Sequence, residues 1–140
     1  MHRTLCSLTM LAVACLVASV ADAGDFSVKD VDGPTAFAFD GFVTVGGVMA
    51  PAAAVGRFVA DGRGNLNDGV RTLVVGGTTL HQTFSCTYTV NADGTGSASC
   101  VVTPGTPETF DFVIVEKKKE AFFTATTPGV TIRGATRRQQ

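Results

Sequence analysis

The chain has no tryptophan, one tyrosine and two histidines, and neither sign of charge dominates: eleven Lys and Arg stand against twelve Asp and Glu. Without a basic surplus there is little to release counterions from a phosphate backbone, so nucleic acid is not an expected partner. A net charge of −1 with 45% hydrophobic residues also lacks the self-repulsion that holds disordered chains open. At 140 residues the sequence suits one domain.

No apolar run reaches the roughly 20 residues that a spanning helix needs. The longest, residues 5–20, is closed by Asp22. Flanked by Met1-His2-Arg3 and Ala21-Asp22-Ala23, it reads as a secretory signal cleaved after Ala23, so the mature chain begins at Gly24 and carries no integral membrane span. A lipoprotein reading uses Ala12-Val13-Ala14 before Cys15, but that box lacks the usual leading leucine and the apolar run continues past the cysteine. The expected organisation is a signal peptide at 1–23, an N-terminal extension at 24–33 and one β domain at 34–140, secreted or periplasmic.

Export removes Cys6 and Cys15 and leaves a single pair, Cys86 and Cys100, in an oxidising compartment, where one disulfide is expected. A redox-active pair would want a Cys-X-X-Cys motif and a nearby cation, and neither is present.

An apolar stripe at helical spacing is missing as well. Val, Thr, Phe and Ala dominate, and Asp-Gly occurs five times, at 32–33, 40–41, 61–62, 68–69 and 93–94. Strands are predicted at 35–45, 52–60, 65–75, 79–90, 96–103, 109–117, 120–127 and 130–136. Eight short strands in series predict an all-β fold, a single antiparallel up-and-down barrel that leaves no open edge, with a two-sheet sandwich as the alternative.

The hairpin around residues 91–95 is the most sharply defined. Ala92 and Asp93 suit a type I turn and Gly94 the left-handed position after it. Reflection about Asp93 sets Cys86 opposite Cys100 and Tyr88 opposite Ala98. Alternation turns Phe84, Cys86, Tyr88 and Val90 to one face and His81, Thr83, Ser85, Thr87 and Thr89 to the other. That hydroxyl row predicts a wet outer face and an apolar interior, the reverse of an outer-membrane barrel.

Phe37, Phe39, Phe58, Phe84, Phe110, Phe112 and Ile114 are therefore core candidates. Their second reading is an aromatic-lined pocket for a small apolar ligand, formed by Phe58, Phe84, Phe110, Phe112 and Tyr88 with Arg57 as a polar contributor. Catalytic patterns are scarce: there is no Gly-X-Ser-X-Gly, His-Glu-X-X-His or zinc-spaced set, and His81 is the only histidine after the signal. Asp40, Asp111 and Glu116 could serve acid-base chemistry only if two of them shared a cleft. Asp61, Asn65, Asn67 and Asp68 miss the spacing of a twelve-residue calcium loop, so no metal and no cofactor is expected. Lys117-Lys118-Lys119 reads as a solvated turn, too short for a lipid-headgroup patch.

The runs Ala54-Val55-Gly56-Arg57-Phe58-Val59-Ala60-Asp61-Gly62-Arg63-Gly64-Asn65, Thr87-Tyr88-Thr89-Val90-Asn91-Ala92-Asp93-Gly94-Thr95-Gly96 and Gly134-Ala135-Thr136-Arg137-Arg138-Gln139 resemble a family of small exported bacterial β-rich proteins of unassigned function. The resemblance covers about residues 33–139 and implies export and a β fold, and it brings no catalytic residue. Members commonly have Gly where Cys86 stands, which makes the cysteine pair a local departure and disfavours any role requiring that hairpin to open.

Three functions follow from these observations. The first is a non-catalytic envelope or extracellular structural or interaction protein, and the second a binder of a small apolar ligand inside the barrel. The third is an isomerase or cyclase resembling allene oxide cyclase in architecture, with Tyr88 and Arg57 as its only polar names. A cavity of about 300 Å³ or more would favour the binder, and a filled core the first reading.

Overall fold

Large apolar residues alternating with hydroxyls leave no helical stripe to bury, and every long segment becomes a strand. The structure, a computed structural model, describes residues 25–140; the expected signal segment, its expected cleavage after Ala23 and Cys15 lie outside the described residues. A 3₁₀ turn, Val28–Asp30, is followed by β1 (Asp32–Val45), β2 (Val48–Asp61), β3 (Asn65–Val75), β4 (Thr78–Val90), β5 (Thr95–Thr103), β6 (Glu108–Glu116), β7 (Glu120–Ala125) and β8 (Val130–Arg138). Each strand pairs antiparallel with the next, and β8 returns to β1, so the meander closes into an eight-stranded barrel. The barrel is realised and the sandwich is not.

Cys86 and Cys100 are cross-strand partners in β4 and β5, and their sulfurs are bonded. Gly94 takes a left-handed φ of 88° at the expected place in the β4–β5 turn. The bridge closes a loop of about 15 residues, so replacing both cysteines with alanine is expected to lower stability by about 3 kcal/mol in urea denaturation. Thiols titrating in the folded, unreduced protein would count against the bridge.

Only two of the five Asp-Gly pairs make turns. Asp61 and Asp93 accept the backbone N–H of Arg63 and of Thr95, at 2.8 and 2.9 Å. Side-chain hydrogen bonds from Asn65 and Thr95, helped by these backbone ones, hold both carboxyls below the ordinary aspartate range. Their support is present at neutral pH and is lost only as acid protonates them below the unfolded value. Asp32-Gly33 opens β1 and Asp40-Gly41 lies within it, while Asp68 sits at a β3 bulge with a φ of 52°.

The interior is filled by phenylalanine laid over glycine. Phe37 faces Gly56 across the ladder, Phe84 faces Gly69, Phe112 faces Gly96, and Phe123 faces Gly134. Each ring occupies the space a Cβ on its glycine would need. Large and small residues thus alternate round the barrel, as a narrow barrel requires. One core cluster gathers Phe58, Leu66, Tyr88 and the disulfide, a second gathers Phe39, Leu73 and Ile132, and Phe37 and Phe110 pack against both.

The outside is only partly the wet surface that β4 implies. His81, Thr83, Ser85, Thr87 and Thr89 are exposed as expected. On the opposite side Val113, Phe122, Ala135, Ala38 and Val55 form an outward row across β6, β7, β8, β1 and β2. Charges two positions away along the strands flank that row: Asp111, Glu120, Arg133, Arg137, Asp40 and Arg57.

Candidate functional site

The barrel has two unlike ends. At the near end lie the chain entry, residues 25–31, and the β2–β3, β4–β5 and β6–β7 turns. Phe26 N–H donates to the Ala92 carbonyl at 3.1 Å, and Lys118 N–H donates to that of Asp30 at 2.7 Å, so the entry segment straddles two hairpins. Lys117 Nζ stands 4.9 Å from the centre of the Phe26 ring. Ser27 and Asp30 brace the 3₁₀ turn, Asp30 Oδ2 accepting from Ser27 N–H at 2.9 Å. The expected extension is therefore a plug, and the barrel begins at Asp32.

Tyr88 holds this plug. Its hydroxyl lies 2.9 Å from the Val28 carbonyl and 2.8 Å from that of Val31, so one phenolic hydrogen is shared between the two ends of the 3₁₀ turn. Burial, with the Asp61 and Asp32 carboxylates nearby, pushes the phenol up to about 12. The unfolded phenol ionises near 10, so its stabilising contribution is complete below about pH 10 and is lost as pH rises toward the folded value. As Tyr88 is the only tyrosine, ultraviolet titration of the folded protein should read that raised value directly. Tyr88→Phe is expected to lower stability by about 1 to 2 kcal/mol, and an unchanged melting curve would remove Tyr88 from this role.

Between the plug and the far end lies a cavity of about 100 Å³. Phe58, Phe84, Phe110, Phe112 and Tyr88 all line it, as expected of them, together with Phe37 and the disulfide. Arg57 does not. It points outward and its Nε donates to Gln139 Oε1 at 3.1 Å, because the strand that turns Phe58 inward turns its neighbour out. Asp40, Asp111 and Glu116 share no cleft: Asp40 stands beside Arg133 at 3.8 Å and Glu116 beside Lys119 at 2.6 Å, while Asp111 is exposed on β6.

Sequence reasoning missed the polar group inside. Arg71, its side chain only 4% exposed, donates through Nη1 and Nη2 to Glu108 Oε2 and Oε1 at 2.8 and 2.7 Å, and through Nε to Gln82 Oε1 at 2.8 Å. Gln82 Nε2 in turn donates to the Pro104 carbonyl at 2.6 Å. The guanidinium carbon lies 5.8 Å from the centre of the Phe39 ring. A readable signal existed: Arg71 is in phase with Leu73, and Glu108 with Phe110, Phe112 and Ile114, one charge of each sign on an inward row. The β3 bulge after Leu66 shifts that phase and hides Arg71 from a count begun upstream.

Chemically the cluster is a tie between strands β3, β4 and β6. Among the described residues no buried side-chain nitrogen or oxygen lacks a partner, and no group of three or more His, Cys, Asp or Glu is placed to hold a metal ion. No helix among the described residues is long and apolar enough to cross a membrane. Comparison with protein-family models, curated proteins and solved structures gives no match, so a reading of function rests on the geometry alone.

Proposed function

We propose that this chain is an exported structural or interaction protein of the envelope or extracellular space, acting through its outer surface and without catalysis. The observation that carries this reading is the filled interior. About 100 Å³ remains, against roughly 300 to 1,000 Å³ in ordinary ligand sites. At one end of the interior stands the segment that Tyr88 holds, and the Arg71–Glu108–Gln82 tie joins β3, β4 and β6 inside the wall. The leader at 1–23 and the single cysteine pair support export.

Native mass spectrometry of the exported protein, with a thermal-shift panel of fatty acids, retinoids and small aromatics, tests the proposal. The expected result is the bare polypeptide mass and no shift. A stoichiometric apolar adduct, or a saturable rise in melting temperature, would transfer the function to the interior.

A further inference from the structure

The outer face centred on β8 and β1 has a graded profile. Its middle row, crossing β7, β8, β1 and β2, reads Phe122, Ala135, Ala38 and Val55. Both alanines are exposed, and Phe122 and Val55 are 51 and 62% exposed. Large apolar residues thus stand on the flanks and small ones at the centre, where a shallow trough is lined by Ala38, Phe122, Gly134 and Ala135. A barrel wall is convex, so two walls share more than a line of contact only where the centre is low and the flanks are high. An apolar centre inside a charged border is also the anatomy of a protein interface.

The bordering rows carry their charges in a definite order. Two residues toward the near end stand Glu120, Arg137, Ala36 and Arg57, and two residues toward the far end stand Thr124, Arg133, Asp40 and Ala53. Glu120 and Ala36 are half-buried and the other six exposed. A two-fold axis in a contact plane sets each residue against the one at its reflected position in the second copy. With that axis along the β8–β1 seam, Phe122 meets Val55, Ala135 meets Ala38, Glu120 meets Arg57 and Arg133 meets Asp40, each contact occurring twice. Arg137 meets Ala36 and keeps its own Glu120 beside it in the ladder. Turning the axis across the strands instead sets Arg133 against Arg137 twice, a like-charge contact that disfavours this arrangement.

We infer that this face binds a second copy of the chain, as an isologous dimer with its strands aligned along the β8–β1 seam. Charge complementarity selects the occupant, because the face complements itself in one orientation and repels itself in the other. The charges choose the register, while burial of Phe122 and Val55 supplies the attraction, since exposed ion pairs contribute little by themselves. The inference rests on the reading of the chain as a protein that acts through its outer surface, and it names the partner.

Sedimentation velocity over a range of protein concentrations tests it. Glu120 and Arg57 lie on β7 and β2, three strand spacings or about 14 Å apart along one barrel, so they can pair only between copies. The parent is expected to dimerise. Glu120→Arg and Arg57→Glu should each raise the dissociation constant by about tenfold or more with an unchanged circular dichroism melt. An equimolar mixture of the two variants should dimerise again, because opposite charges then meet on both sides of the axis. Phe122→Asp should leave a monomer. A parent that stays monomeric at every concentration would overturn the inference, as would variants that fail to reassociate on mixing. So would a dimer dispersed by Val48→Asp with Met49→Asp yet indifferent to Glu120→Arg, which would move the contact to the β1–β2 tip. An apolar adduct in native mass spectrometry would sink the reading beneath and leave the dimer standing, whereas bare monomers would do the reverse.

Discussion

Glu108→Ala is expected to destabilise the barrel by about 3 to 5 kcal/mol, read as a lower urea midpoint at unchanged slope. The substitution strands a guanidinium whose side chain is 4% exposed, with Gln82 its only remaining hydrogen-bond acceptor. Arg71→Met should be milder, because the Glu108 left behind is 22% exposed and can turn to water. Replacing both, as Arg71→Met with Glu108→Leu, should recover most of the loss, since a buried pair repays little beyond its own desolvation. If the two single variants prove equally mild, the pair is more hydrated than its burial indicates.

Phe37→Ala should cost a similar amount, about 3 to 5 kcal/mol. Its ring lies 5.7 to 6.4 Å from those of Phe39, Phe58, Phe84 and Phe123, and it also covers Gly56. Phe84 and Phe123 cannot collapse into the gap without abandoning Gly69 and Gly134, so the void should persist and join the existing cavity. Dry apolar voids of about 150 Å³ take up benzene. The variant should therefore gain a benzene-dependent rise in melting temperature that the parent lacks. A parent that already responds to benzene would show that the interior is less filled than described.

Much of the fold was legible because alternation and turn residues speak locally. Cys86 opposite Cys100 and Tyr88 opposite Ala98 followed from one well-defined hairpin, and strand edges were read within a few residues. Less legible were features that depend on partners far along the chain. The entry segment looks like a loose extension until the Asn91–Thr95 and Glu116–Lys119 turns are in place to receive it. Arg57 was assigned inward for its chemistry although alternation with Phe58 places it outside. Extending the hydroxyl row of β4 to the whole surface overlooked Val55, Phe122 and Met49, because each strand sets its outward row independently of its neighbours. Among the described residues, the site owes most to Arg71 and Glu108, which belong to strands that do not touch in the sheet order.

The seam between β1 and β8 has a kinetic consequence. Thr35 pairs with Arg138 and Val43 with Val130, so the last strand made completes the first. Hairpins β1–β2 through β7–β8 can form as soon as their residues emerge, but every such intermediate retains two open edges able to recruit other chains. Closure must wait for the C-terminal strand, and loops of this span are entered late and slowly. Commitment to the native barrel therefore comes only once the whole sequence through Arg138 is available to pair.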